Sequence, residues 1–194
     1  MIGQPSPAWH EPEYWPLLVA TTAFGGTFTA RLMNEVRSKR GLSYGASARI
    51  GRGRGRKALI AHVFPSLEQT PETLELVLGL WREFVEHGIT EEELRFAQGY
   101  LASSFAFNLA TPEDRLELRT SLLLCGVDGD YAARYAERVR AVTLDDTRRV
   151  LREQLTPSDL EVCVVTTADE LRPLLDAARI TSGHEVEVLA YDSY

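Results

Sequence analysis

Stretches where apolar residues recur every three or four positions are interleaved, in this chain, with stretches where they alternate with polar ones. From about Pro12 to Ala23, Tyr14, Leu17, Leu18 and Thr21 keep helical spacing. Gly25-Gly26 is expected to break that helix, and a second is expected from about Thr27 to Lys39, with Gly41 as its stop. Tyr44, Ala46, Ala48 and Ile50 then alternate with Ser43, Gly45, Ser47 and Arg49, the period of a half-buried strand. A partner strand is expected over Ala58–Pro65, with Gly51-Arg-Gly-Arg-Gly-Arg-Lys57 as a permissive hairpin connection. Residues 1–11 are Pro-rich and expected to be extended.

The middle of the chain is helical and well punctuated. Thr70-Pro71 offers an N-cap and a proline at the first helical position. Leu74, Val77, Leu78, Trp81, Phe84 and Val85 form one apolar stripe up to a stop at Gly88. Thr90-Glu-Glu-Glu93 reads as a capping box opening a helix through about Asn108, with Leu94, Ala97, Leu101 and Phe105 inward. Thr111-Pro112 and Thr143 open further helices around one spanning Tyr131 to Val142. Leu160–Thr166, with Val162, Val164 and Val165, predicts a buried strand. A short helix (169–178) and a last strand, Glu185–Leu189, follow. Helices grouped between strand runs imply an α+β domain of two layers, helices on one face of a mostly antiparallel sheet. Without an internal repeat or a flexible linker, residues 1–194 are expected to be a single domain.

Composition agrees: 194 residues suffice to bury a core without metal or disulfide staples, and 44% hydrophobic with 25% charged residues is ordinary for a globular domain. A net charge of −7 argues against a general nucleic-acid binder. Cys125 and Cys163 give no disulfide framework and are expected to be buried free thiols. No apolar run is long enough to span a bilayer, and Met1-Ile-Gly-Gln-Pro-Ser-Pro-Ala-Trp9 does not read as a signal peptide.

The chemistry is sparse. His10, His62, His87 and His184 have no second histidine three to five residues away, so no His-x-x-Glu-His motif exists. The Gly51, Gly53, Gly55 series precedes a strand, whereas a dinucleotide fingerprint precedes a helix. What remains is Arg37 and Tyr44, on either side of a helix-to-strand corner. One reading is structural: Arg37 favoured by the helix C-terminal dipole, Tyr44 on the strand face shared with Ala46, Ala48 and Ile50. The other places both in a cleft as hydrogen-bond donors to a peptide carbonyl gaining negative charge. A guanidinium keeps its charge and a phenol its proton at neutral pH, which suits both to donate. Arg52, Arg54, Arg56 and Lys57 form a basic loop, either a solvated hairpin tip or an attraction for an acidic substrate or partner.

Arg31-Leu-Met-Asn-Glu-Val-Arg37-Ser-Lys-Arg-Gly-Leu-Ser-Tyr44, preceded by Phe24-Gly-Gly-Thr-Phe-Thr-Ala30, resembles the arginine–tyrosine signature of the pitrilysin (insulinase) family of zinc metallopeptidases. The resemblance to the C-terminal homologous domain of that family is specific over Gly25–Ala48; elsewhere, including Glu185–Tyr191, only the pattern agrees. It implies a metallohydrolase domain that faces substrate without holding the metal. Arg37 and Tyr44 would bind the peptide substrate and stabilise its carbonyl in the transition state. Zinc would sit in a homologous domain or subunit, as in bacterial pairs that divide the two roles between related chains. Alone, the chain would be inactive in peptide-bond hydrolysis, and Met1 would begin an excised segment. A different class is also implied: an inactive structural or assembly subunit, as among the core proteins of a respiratory complex. A third is a peptide-binding module using a sheet edge.

Overall fold

The computed structural model describes residues 1–156 and 159–190. Four strands, β1 (Ile2–Ser6), β2 (Ala46–Ile50), β3 (Lys57–Val63) and β4 (Glu161–Val162), form an antiparallel sheet in the order β2-β3-β1-β4. The α+β expectation holds, but the start of the chain is more than extended. Pro5 did not suggest an interior strand, since proline removes a ladder donor; β1 nevertheless pairs on both sides, with β3 from Ile2↔Ala61 to Ser6↔Lys57 and with β4 at Ile2↔Val162. Ile2, Gln4 and Ser6 are buried, on the side of the sheet where Ala46, Ala48, Leu59 and Ala61 also lie. The opposite side shows Ser47, Arg49, Ile60 and His62, exposed or half-buried.

Helices cover the buried face. α1 (Tyr14–Thr21) continues as a π-helical turn, Thr22–Gly26, so the two glycines do not break it where expected. Gly25 serves another purpose. A Cβ there would lie 2.6 Å from the Ala48 backbone nitrogen, so glycine lets this turn seat directly on β2. The next helix begins later than Thr27: α2 (Arg31–Met33) runs into a π-helical segment, Asn34–Lys39. Gly41, at φ 63°, reverses the chain, with its N–H donating to Arg37 O and the Leu42 N–H to Val36 O, and Leu42 is buried.

The long helices keep their expected limits closely. α3 (Thr70–His87) stops at Gly88, φ 74°. Thr70 is not its cap, however: it lies inside the first turn and donates its hydroxyl to Ser66 O, behind Gln69. α4 (Glu91–Ser104, extended by a 3₁₀ turn Phe105–Leu109), α5 (Pro112–Cys125) and α7 (Leu144–Gln154) open with complete capping boxes at Thr90/Glu93, Thr111/Asp114 and Thr143/Asp146. α6 is Tyr131–Ala141 and α8 Ala168–Ala177. Phe24 stacks on Phe84 at 4.4 Å between centroids, with Trp81 edge-on, at the centre of the core.

Three expectations near the C-terminus fail. Only Glu161 and Val162 of the 160–166 segment are in a strand, and Val162, Val164 and Val165 are exposed. Glu185–Leu189 has no regular structure, which leaves His184 and Glu185 outside any strand; Tyr191 lies outside the described residues. Cys163 is exposed rather than buried, its backbone tied to Met1 in both directions. β-branched continuity signals a strand only where a neighbouring strand is long enough to pair it, and β4 meets β1 at two residues.

One ion pair fixes the helix that leads to the Arg37 corner. Arg31 Nε and Nη2 donate to the two Glu93 carboxylate oxygens at 2.9 and 2.7 Å, and Nη2 also reaches Gly88 O at 3.1 Å. Burial opposes ionisation of Glu93, but the hydrogen bonds from Arg31 and the Thr90 N–H outweigh it and hold the carboxyl below the usual 4.5. A carboxylate depressed in the folded state stabilises above its unfolded value and loses that contribution as pH falls through the folded one. Glu93→Gln is therefore expected to lower stability by about 1–2 kcal/mol at neutral pH. The difference from the parent should shrink steadily below pH 4.5, as followed by denaturant melts across pH. A gap independent of pH would separate the loss from the charge.

Candidate functional site

Arg37 sits on the last turn before Gly41, and Tyr44 sits in the bend that leads into β2, so the corner brings them together. Tyr44 is not on the buried strand face: it precedes Ala46 by two residues and is 84% exposed. The structural reading of a tyrosine packed with Ala46 and Ala48 is overturned, because the strand begins only where β3 supplies a partner, at Ala46↔Val63.

The Arg37 guanidinium carbon lies 4.6 Å from the Tyr44 ring centroid and 4.5 Å from that of Phe28, itself 66% exposed. Two aromatic rings thus hold the cation. Among the described residues neither the Arg37 guanidinium nor the Tyr44 hydroxyl has a hydrogen-bond or ion-pair partner. The nearest acidic side chain along the helix, Glu35, is occupied by Lys39 and Arg40, whose hydrogen bonds depress its carboxyl. The arginine is held by two rings while, among the described residues, its N–H donors stay uncommitted.

The corner itself is pinned by Ser43, which is buried. Its hydroxyl donates to Gly45 O at 2.6 Å and accepts from the Phe64 N–H at 2.8 Å, fastening the Tyr44 bend to the residue that follows β3. The Phe64 ring lies alongside Gly45 and edge-on to His62. Ser43→Ala leaves the Phe64 N–H without its partner, an expected cost of about 1–3 kcal/mol. Faster hydrogen exchange at Phe64 would show the loosening; unchanged exchange would remove Ser43 from this role.

Among the described residues no three His, Cys, Asp or Glu side chains gather into a group able to hold an ion. His62 is on β3 and His87 at the end of α3, as expected, and neither has such company. A resident zinc does not fit the described residues. The basic loop also divides: the Arg52 guanidinium packs on Trp9, 5.1 Å from the ring centroid, and donates to the Tyr14 hydroxyl, so it is no solvated tip. Burial raises the Tyr14 phenol, with Arg52 opposing.

Comparison with known proteins decides the family, for the profile of the peptidase M16 inactive domain matches residues 1–101. The chain belongs to that family. This agrees with the pitrilysin-type resemblance of Gly25–Ala48. An uncharacterized zinc protease of Streptomyces coelicolor is 29% identical over 157 residues, 80% of this chain and 34% of that protein. The non-peptidase homolog YmxG of Helicobacter pylori is 22% identical over 142 residues, 73% of this chain and 33% of its own length. The chain therefore spans a third of these relatives. The crystal structure of a peptidase M16 inactive domain from Pseudomonas fluorescens shares the fold, with TM-score 0.75 and 24% identity over 82% of this chain and 38% of that one. A chain of the Candida albicans complex III dimer superposes with TM-score 0.70 at 15% identity, over 82% of this chain and 40% of that one. In this M16 inactive domain no described helix is long and apolar enough to cross a membrane.

Phe28, Ser43 and Phe64 are the site residues that sequence reasoning missed. Phe28 lies seven residues after Thr21 and nine before Arg37, in an irregular stretch where no period applies. Ser43 carried a signal: a serine two residues before Gly45 can close a local side-chain turn.

Proposed function

We propose that this domain is the substrate-facing half of a zinc metallopeptidase. Arg37 and Tyr44 donate hydrogen bonds to the scissile carbonyl, while a homologous domain or subunit supplies the zinc. The observation that carries this reading is an arginine held between Phe28 and Tyr44 with no counter-ion and no acceptor of its own. Arg31, by contrast, spends its donors on the Glu93 carboxylate and Gly88 O. Held in place before substrate arrives, the donors cost no reorganisation as the carbonyl oxygen gains charge, and excluding water around them strengthens the effect.

The test is reconstitution with a chain that carries His-x-x-Glu-His and accompanies this one in its full-length protein or operon. Cleavage of an unstructured peptide should require both chains, and this one should bring no stoichiometric zinc. A second reading draws on the relative named as a non-peptidase homolog: a subunit that keeps the fold for assembly. It predicts a stable complex with a related chain and no effect of Arg37 or Tyr44 variants on hydrolysis.

A further inference from the structure

Between Val36 and Leu67 there are eight lysines and arginines and no aspartate or glutamate, so all 28 acidic residues of a chain with net charge −7 lie elsewhere. That stretch is the Arg37–Tyr44 corner, β2, the hairpin and β3. Several of its cations are already engaged: Lys39 and Arg40 by Glu35, Arg52 by Tyr14, Arg56 by Glu11 and Gln154. The guanidinium groups of Arg37, Arg49 and Arg54 have no acidic or hydrogen-bonding partner among the described residues. Arg49 is exposed on the side of β2 away from buried Ala46 and Ala48, opposite Ile60 in register, and Arg54 stands exposed at the hairpin tip. From Tyr44 to Arg49 the chain can advance at most about 16 Å, no more than the span of about five extended peptide residues.

We propose that the peptide served by this site is acidic, lying along β2 with a carboxylate at Arg49 and another towards Arg54 while its scissile bond rests at Arg37 and Tyr44. The inference rests on the proposed role of that corner and adds the substrate class. Unpaired cations in a stretch free of carboxylates give this face a positive potential on an otherwise negative protein, which raises the local concentration of an anionic segment and falls with salt. The rest of the chain, being acidic, repels a long polyanion such as single-stranded nucleic acid.

The experiment compares two peptides of one sequence, with Glu or with Gln at positions four to six residues on either side of a central aromatic residue. Binding to the chain is titrated at low salt and at 0.5 M, with an oligothymidylate as competitor. Roughly tenfold tighter binding of the Glu peptide is expected at low salt. The preference should collapse at high salt and be lost in the Arg49→Glu/Arg54→Glu variant, whose circular dichroism should match the parent. Equal affinities, no binding of either peptide, a preference that survives charge reversal, or oligothymidylate binding tighter than the Glu peptide would each overturn the proposal. Turnover in the reconstituted peptidase keeps the two ideas apart. If Arg37→Ala slows both peptides alike and no charge preference exists, only the acidic substrate falls; if the preference exists but Arg37→Ala changes nothing, only the catalytic role does.

Discussion

Arg37→Ala is expected to lower kcat of the reconstituted peptidase by roughly 100- to 1,000-fold, the usual consequence of removing one donor from a developing oxyanion. KM should change much less, because the hydrogen bond strengthens as charge builds on the carbonyl oxygen and is weak to the ground-state peptide. The stability cost separates this from a packing effect. Among the described residues the Arg37 guanidinium is held by Phe28 and Tyr44, and such contacts at an exposed site are worth about 0.5–1 kcal/mol. A loss of that size leaves a folded domain, so a large fall in turnover cannot be assigned to unfolding. Arg37→Lys should recover little, since an ammonium lacks the planar fork of donors that a guanidinium presents. Near-equal kcat in Arg37→Ala and parent, with the same partner bound, would remove the donor role.

The largest expected effect on the fold comes from Gly25→Val. A Cβ at position 25 would approach the Ala48 nitrogen at 2.6 Å and its Cβ at 2.7 Å. Neither can rotate away, because one is backbone of β2 and the other is fixed to it. The π-helical turn must lift from the sheet, parting Phe24 from its stack on Phe84. A destabilisation of about 3 kcal/mol or more is expected, at the upper end for overpacking a core. Chemical denaturation of the purified variant measures it, and the milder Gly25→Ala should lie between variant and parent. A shift in neither would mean that β2 yields to the added carbon. Because β2 follows directly from the Tyr44 bend, a stable Gly25→Val domain should also show altered Tyr44 exposure.

How far the sequence reached depends on whether a feature is set by local or distant residues. Helix starts were legible where one side chain caps its own turn: Thr90, Thr111 and Thr143 close boxes three residues long, and all three are present. Thr70 misled because Thr-Pro announces a helix start without saying which residue takes the cap, and here the turn begins one residue earlier. Strand pairing was the weak point. β1 was hidden by a proline that its pairing tolerates, and the valines near 162–165 promised burial that no neighbouring strand provides. For the site, Arg37 and Tyr44 could be named from their spacing across Gly41. Their contact, and that of Phe28 with the guanidinium, depend on how the 27–30 turn folds back over the helix, and no period or motif encodes that.

The claim at the centre is that this domain lends uncommitted donors to a reaction whose metal lies across the cleft. The most direct measurement is hydrolysis by the zinc-bearing partner mixed with either the parent chain or the Arg37→Ala/Tyr44→Phe double variant, at concentrations where both are shown to be bound. The account predicts cleavage with the parent and a loss of at least about 100-fold in kcat with the double variant. Cleavage at the parental rate by the double variant complex would contradict it.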